Sequence, residues 1–185
     1  GQALAGKEAV TMTRAHALAR DTGAAFEAWV DVQHEFALRL GLLACVEHTR
    51  PPAIIRNGRM IYTAASVADW IGTLGRASSR PGVSLAVEAK STTHGRLPRD
   101  RIAPLQAAHL DVVSRAGGLA LLLVEFRSEK AALWTVTRFA CPWLAVPWER
   151  ARTAESVTAA ALAGWEVAVP CYLARFALDS PRGPA

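Results

Sequence analysis

The sequence predicts an α/β protein with a mixed central sheet flanked by helices. Three observations indicate this fold class: an early helical pattern, short alternating apolar runs in the middle of the chain, and a continuous apolar run over residues 119–126. A continuous run is typical of a central strand that is covered on both faces. The predicted order is helix, strands, helix, strand, strand, helix, which favours helices packed on a sheet.

Length and composition predict a single packed domain. The chain has 185 residues, of which 51% are hydrophobic, enough for a sizeable core. We expect an N-terminal extension, partly helical, over residues 1–22, one domain over 23–178, and a frayed tail over 179–185. No apolar run reaches membrane-spanning length without charge, and no signal peptide is visible. The widely spaced Cys45, Cys141 and Cys171 argue against a zinc site and a disulfide framework, and favour free thiols in a cytoplasmic protein.

The first elements follow from periodicity and turn residues. A helix is predicted from near Ala24 to Gly41, because its apolar residues recur at steps of three and four. A first strand is predicted over residues 42–46. The dipeptide Asn57-Gly58 separates two apolar runs, 53–56 and 59–63, and predicts a β-hairpin.

The later elements are assigned in the same way. Val83, Leu85 and Val87 alternate after Pro81-Gly82 and predict a strand, preceded by a loop over 72–82. The remaining expectations are a helix over 102–116, strands over 119–126 and 131–137, a helical turn within 141–148, a helix over 153–163 and a strand over 165–169.

Charged residues interrupt two short apolar runs that we expect to pair. Asp69 lies in one run, and Glu88 and Lys90, two residues apart, lie on one face of the other. Two carboxylates can hold a hard cation such as Mg²⁺, and a neighbouring lysine can hold a phosphate oxygen or a water. This is the PD-(D/E)xK nuclease pattern. Taken alone, the three residues favour the simpler interpretation, a solvated strand end with a surface ion pair.

Basic residues and one further carboxylate extend this hypothesis. The net charge is +5, and the basic residues are mostly arginine, which suits a polyphosphate partner. Arg56 and Arg59 flank the hairpin tip and indicate either an arm that meets nucleic acid or a solvated turn. Glu27 on the first helix is either a third metal ligand or a solvated residue.

Several motifs, in order, resemble the RecU-type Holliday junction resolvases. Ser66-Val67-Ala68-Asp69-Trp70-Ile71-Gly72 resembles the family's Ser-Thr-x-Asp-Tyr-x-Gly, and Val87-Glu88-Ala89-Lys90 resembles Phe-Glu-Ala-Lys. Ala25-Phe26-Glu27, Arg50-Pro51-Pro52 and Gly117-Gly118 are similar to further family motifs. The chain departs from the pattern at Trp70 and Ala68, in the arginine of its basic segment and in a shorter hairpin.

The resemblance implies a restriction-endonuclease-like fold with a short projecting hairpin, and a Mg²⁺-dependent nuclease for which Mn²⁺ is expected to substitute. It implies a homodimer that resolves four-way DNA junctions in the cytoplasm of a bacterial or phage-infected cell, without membrane contact. Alternatives are a nuclease for flaps, nicks or single strands, an inactive DNA-binding relative, and a partner-binding scaffold.

The implied metal ligands are Asp69, Glu88, Glu27 and the backbone carbonyl of Ala89. Lys90 and Gln106 are the implied catalytic partners, and the implied DNA contacts are Arg50, Arg56, Arg59, Arg96 and Arg99.

Overall fold

A mixed five-stranded sheet forms the centre of the protein, as the sequence predicts. The computed structural model describes residues 23–49, 53–56, 59–62, 66–130, 133–151, 154–167 and 171–178. The expected extension over 1–22 and tail over 179–185 lie outside these residues. Its strands are β1 Leu43–His48, β4 Trp70–Leu74, β5 Ser84–Thr92, β7 Leu119–Lys130 and β8 Leu133–Pro142, numbered by their order among all strands of the chain. In the sheet they lie in the order β1-β4-β5-β7-β8, with β5 and β7 parallel and the other neighbours antiparallel.

Helices cover both faces of this sheet. Helix α1 spans residues 23–39, and helix α2, Pro104–Arg115, connects the parallel strands β5 and β7, as a parallel crossover requires. A third short helix, α3, spans Ala174–Leu178. No helix in the described part of the chain is long and apolar enough to span a membrane.

Strand β5 contributes to two separate cores because its side chains alternate between faces. Leu85 and Val87 pack with Phe26 and Val30 of α1, whereas Ala86 packs on the opposite face with Leu110 of α2. Glu88 and Lys90 lie two and four residues after Ala86, so their charged side chains point to the same face of β5, the face that α2 covers. The alternation expected from the sequence is therefore confirmed.

Gly41 ends helix α1, as the sequence predicts. Its φ of 72° is a left-handed conformation that glycine adopts without steric cost. The N–H of Gly41 donates to the carbonyl of Leu38, and the N–H of Leu42 donates to the carbonyl of Ala37. This pair of bonds is the Schellman motif, and it turns the chain directly into β1.

The expected β-hairpin is also present. Strands β2, Ala53–Arg56, and β3, Arg59–Tyr62, pair antiparallel in a two-stranded sheet of their own, with Arg56 opposite Arg59. The turn residues Asn57-Gly58 lie outside the described residues.

Three local predictions are wrong. The segment 153–163 was expected to be helical from its capping signals, but Ala154–Thr158 is strand β10, which pairs with β6, Arg96–Pro98, and β9, Glu149–Ala151. Fully buried Val157 packs in the α2-side core, so tertiary packing overrides local propensity. The expected loop over 72–82 begins later, since β4 extends to Leu74. The strand predicted over 165–169 is absent from residues 165–167, which contain the end of a 3-10 turn, Ala163–Trp165, and one bridge from Glu166 to Phe139. Residues 168–169 lie outside the described residues.

Candidate active site

Asp69 is fixed by its backbone between two strands. Its N–H donates to the carbonyl of Val87 at 3.0 Å, and its carbonyl accepts the N–H of Thr49 at 2.8 Å. The hydroxyl of Thr49 donates to the same carbonyl at 3.3 Å. Since Thr49, directly after β1, and Val87 of β5 bind its backbone, Asp69 has a defined place at the start of β4.

The structure brings Asp69, Glu88 and Lys90 together. Asp69 Oδ2 accepts the backbone N–H of Ala89 at 2.8 Å, and Lys90 Nζ lies 3.9 Å from that same oxygen. Lys90 Nζ also donates to Glu88 Oε1. A single ammonium therefore lies beside two carboxylates, which is the arrangement that the ExK spacing predicts.

Glu88 is completely buried and only half satisfied. Its exposed fraction is 0%, and its Oε2 has no hydrogen-bond partner among the residues that the structure describes. Burial raises the pKa of Glu88 to about 7, the Lys90 charge opposes this rise, and the Asp69 charge adds to it. A buried carboxylate with a free oxygen is costly, and a cation at that oxygen would remove the cost.

Glu27 shares this electrostatic environment. It lies on α1 and is partly buried. Burial raises its pKa, the negative charge of Asp69 raises it further, and the positive charges of His48 and Lys90 lower it. The expectation that Glu27 reaches the site from the covering helix is consistent with these interactions, and its role as a ligand stays a prediction.

The oxygen donors suit a hard cation. Within the described residues, no group of three or more His, Cys, Asp and Glu side chains is arranged to hold a metal ion. Asp69 and Glu88 supply carboxylate oxygens, and the N–H of Ala89 points to Asp69. Because the N–H and C=O of a strand residue project from the same edge, the Ala89 carbonyl faces this side too. Carboxylate and carbonyl oxygens are the ligands that Mg²⁺ prefers, so the donor set fits this ion.

Gln106 has a structural contact that the sequence did not suggest. Its Oε1 accepts the N–H of Ala103 at 3.0 Å, in the first turn of α2. Ala103 has no polar side chain to cap this helix, so Gln106 satisfies one of the amide groups left free at its start. The predicted contact with Lys90 or a water stays a prediction.

The predicted DNA-contacting arginines differ in their surroundings. Arg96 is exposed on β6. Arg99 forms an ion pair with Glu155 and lies 5.5 Å from the centre of the Trp148 ring, so a phosphate would have to compete with that carboxylate. Arg50 and the side chains of Arg56 and Arg59 lie outside the described residues.

A second buried glutamate lies close by on the opposite face of the sheet. Glu125 on β7 has an exposed fraction of 0%, and it stands in register with Ser91, next to Lys90. Its Oε1 contacts Arg127 Nε at 2.5 Å and Ser91 Oγ at 3.1 Å, and its Oε2 accepts from Arg138 Nε at 2.8 Å. Sequence reasoning missed this Arg-Glu-Arg cluster, and the only signal was a charge within the apolar run of β7. Glu125 is fully compensated, in contrast with Glu88.

Three further residues near Asp69 form a cluster that the sequence analysis did not predict. Asp31, His48 and Trp70 come from α1, β1 and β4, and they contact one another beside Asp69. Asp31 is one turn after Glu27, which the sequence does show. The contact with Trp70 depends on the register of the sheet, which the sequence does not reveal.

Comparisons with known proteins give a likeness at the level of structure. No model of a known protein family matches the chain, and no characterised protein is similar to it in sequence at a significant level. Among solved structures, the chain is similar to Archaeoglobus fulgidus Hjc, a Holliday junction resolvase from an archaeal hyperthermophile. The two are 17% identical, the match covers 84% of this chain and 95% of that one, and the TM-score is 0.45. A likeness of this size assigns no activity and no residue role, which must come from the side chains themselves.

The raised pKa of Glu88 predicts how the stability of the metal-free protein depends on pH. In the unfolded chain Glu88 loses its proton near 4.5, and in the folded protein near 7. Between these values the folded state binds more protons, so this group's contribution to stability falls as pH rises. We expect Glu88→Gln to gain stability relative to wild type across this window. Urea unfolding in EDTA at several pH values measures the difference.

Glu125→Gln is the matched control for this experiment. It also neutralises a fully buried glutamate, but it leaves Arg127 and Arg138 without their shared carboxylate, so it should lower stability. A Glu88→Gln protein that is less stable than wild type at pH 7 and above would contradict the conclusion that burial of the ionised Glu88 side chain destabilises the metal-free protein.

Proposed function

We propose that the protein is a Mg²⁺-dependent endodeoxyribonuclease of the PD-(D/E)xK type that resolves four-way DNA junctions by paired nicks. The observation that supports this most strongly is the fully buried Glu88 beside Asp69 and Lys90, whose Oε2 lacks a hydrogen-bond partner within the described part of the chain. Glu125, by contrast, has both carboxylate oxygens bound by side chains. The RecU-like order of motifs supports the junction as substrate.

Asp69, Glu88 and the Ala89 carbonyl are the groups that would hold the ion. Glu27 on α1 forms no three-carboxylate group with them among the described residues, so its role as a further ligand is supported by the RecU resemblance alone. Bound there, Mg²⁺ would supply Lewis-acid chemistry to a phosphodiester and to water. The site is small and its carboxylates carry like charges, so the ion would also remove the repulsion between them. Mn²⁺, another cation that binds oxygen ligands, is expected to substitute.

Lys90 has two tasks in this mechanism. In the absence of substrate its ammonium compensates Glu88 and lies near Asp69. When a phosphodiester enters, Lys90 would orient the attacking water and offset the charge that develops on a phosphate oxygen. The side chain is 18% exposed, so it can reach substrate while its position remains fixed. The Gln106 amide would support that position from the α2 side.

Basic residues outside the site would contact the DNA backbone. Arg96 lies on β6 and Arg99 in the turn that follows it, Arg56 and Arg59 belong to the β2-β3 hairpin, and Arg50 precedes the hairpin in the sequence. The net charge of +5 favours association with a polyphosphate. A homodimer completes the proposal, since two sites related by a two-fold axis fit a substrate of similar symmetry and can cut two strands.

The decisive experiment compares labelled substrates at matched salt. The protein is incubated with a four-way junction, a flap, a nicked duplex, a single strand and a linear duplex, each with Mg²⁺ and with EDTA. Paired nicks in the junction with Mg²⁺ alone, and a dimeric mass by light scattering, are expected. Preference for a flap, nick or single strand would indicate a different nuclease of this type, and junction binding without cleavage would indicate an inactive DNA-binding relative.

The hairpin makes a separate prediction about binding. If Arg56 and Arg59 contact phosphates, replacing both with glutamine should reduce the slope of log affinity against log salt by about 0.9 for each lost contact, because fewer counterions are released. Titrations of a labelled junction at several salt concentrations measure this slope. The matched control is Arg39→Gln, since Arg39 is exposed and pairs with Glu35 on α1. A slope equal to that of wild type would mean that the hairpin does not touch the backbone.

A further inference from the structure

The α1 face of the sheet carries a cluster of charges around Glu125. This fully buried carboxylate contacts Arg127 Nε at 2.5 Å and Arg138 Nε at 2.8 Å, and it accepts from the Ser91 hydroxyl at 3.1 Å. The other residues of β7 from Leu119 to Phe126 are apolar. Buried ion clusters add little to stability, because desolvation offsets the attraction between the charges. Stability alone is therefore a weak explanation for this cluster.

The cluster lies at the same edge of the sheet as the candidate active site, on the opposite face. Ser91, in register with Glu125, directly follows Lys90 on β5. Strand β5 ends one residue later, whereas β7 and β8 continue together as a two-stranded ribbon. Val136, which pairs with Arg127 in this ribbon, is 44% exposed. This end of the α1 face is therefore open to solvent.

Arg138 is held in a defined orientation at this opening. Its guanidinium carbon lies 4.4 Å from the centre of the Trp29 ring and 6.0 Å from that of Phe26, both within the range of a cation–π contact. Its Nε donates to Glu125, and no acceptor among the described residues binds its two terminal nitrogen atoms. The side chain is 29% exposed. These terminal nitrogens form the planar fork of N–H donors that matches a phosphate.

We propose that Arg138 binds a backbone phosphate of the DNA strand that enters the candidate active site, and that Glu125 holds its guanidinium in place for this contact. Arg127 adds a second positive charge, so the cluster stays positive after Glu125 is counted. A strand that crosses the edge of the sheet at the end of β5 would meet Lys90 on one face and Arg138 on the other. Because the guanidinium is already fixed, little side-chain entropy is lost when a phosphate binds. The inference rests on the proposed function, since it takes DNA as the partner.

DNA binding in EDTA tests the inference without relying on cleavage. A labelled four-way junction and a linear duplex are titrated with wild type and Arg138→Gln at several salt concentrations. We expect Arg138→Gln to weaken binding about 10-fold, a usual effect of losing a hydrogen bond to a charged group, and to lower the slope of log affinity against log salt by about 0.9. Arg138→Lys keeps the charge but not the planar fork, so it should keep the wild-type slope and recover only part of the affinity.

The double variant Glu125→Gln/Arg138→Gln separates a phosphate contact from net charge. It removes one charge of each sign, so the cluster keeps the net charge of wild type and no carboxylate is left short of a partner. A phosphate contact by Arg138 predicts the same loss of slope as in Arg138→Gln, whereas general attraction by the cluster predicts the wild-type slope. Glu125→Gln alone should bind DNA at least as tightly as wild type, because it removes only a negative charge.

Urea unfolding verifies that each variant is folded under the binding conditions. Arg39→Gln is the matched control, since Arg39 is an exposed arginine that pairs with Glu35 on α1. A double variant with the wild-type slope, an Arg138→Gln protein that loses no more affinity than Arg39→Gln, or an Arg138→Lys slope as low as that of Arg138→Gln would each overturn the inference and leave the proposed nuclease intact. Wild-type protein that binds neither DNA in a salt-dependent manner would overturn the proposed function, and the inference with it.

Discussion

Glu88→Gln is expected to abolish DNA cleavage and to leave junction binding intact or tighter. Glutamine has nearly the same shape and keeps an oxygen for Lys90, but it removes the charge that would hold Mg²⁺. The loss of rate should exceed the about 10²- to 10³-fold that removal of one transition-state hydrogen-bond donor costs. Asp69→Asn should behave alike, because it neutralises the other carboxylate. DNA binding should not suffer, since a negative charge that repels phosphate has been removed.

Two measurements separate these effects. Single-turnover cleavage of a labelled four-way junction in Mg²⁺ gives the rate, and gel shifts in EDTA give the affinity for DNA. Glu35→Gln is a suitable control because Glu35 is an exposed carboxylate, 69% accessible, that pairs with Arg39 far from Glu88 in the chain. A folded Glu88→Gln protein that still cuts, or that loses junction binding together with cleavage, would rule out the metal site.

The core of the candidate site could be predicted because it depends on local rules. Glu88 and Lys90 lie on one face because strand side chains alternate with period two. Asp69 reaches them because β4 and β5 are adjacent antiparallel strands, with Trp70 opposite Val87. The order strand, helix, central strand over β5, α2 and β7 was likewise predicted, from alternating residues, a helical segment and a continuous apolar run, whereas the parallel pairing of β5 with β7 comes from the structure. To predict these features, one needs only the alternation of residues along a strand and the pairing of two neighbouring strands.

The parts that could not be predicted depend on contacts between distant segments. Glu125 is compensated by Arg138 from the next strand, and Trp70 is bound by Asp31 from a helix 39 positions earlier in the chain. Both contacts require the register of the sheet and the placement of α1. Strand β10 was mistaken for a helix for the same reason. Its capping residues predict a helix from local sequence alone. Its pairing with β6 depends on residues about 60 positions away, and this tertiary contact overrides the local preference.

Gln106 illustrates a different limit. The RecU resemblance implied a role beside Lys90, whereas the structure has its amide oxygen on the Ala103 N–H. One side chain can serve both purposes, since a glutamine amide has an acceptor and two donors. Motif similarity predicts a residue type at a position, and the hydrogen bonds decide which atoms remain available for substrate.

Lys90→Ala is expected to reduce the cleavage rate about 10²- to 10³-fold, the cost of losing one group that stabilises transition-state charge, without weakening metal binding. Lys90 is not a ligand. Its ammonium lies on Glu88 Oε1 and 3.9 Å from Asp69 Oδ2, so it competes with a metal ion for both carboxylates. Its removal should leave Mn²⁺ affinity equal or higher. This combination distinguishes Lys90 from Glu88 and Asp69, whose neutralisation should lower rate and affinity together.

The two readouts should be taken on one protein preparation, with single-turnover cleavage in saturating Mg²⁺ and Mn²⁺ titration without DNA. Lys90→Arg is the informative companion because it keeps the positive charge but places it on a larger, planar group. We expect it to bind metal like wild type and to recover only part of the rate, since the water or phosphate oxygen must lie at a defined distance from the ammonium. A near-wild-type rate for Lys90→Ala would show that Lys90 is only the structural counter-ion of Glu88, and the ExK assignment would then be wrong.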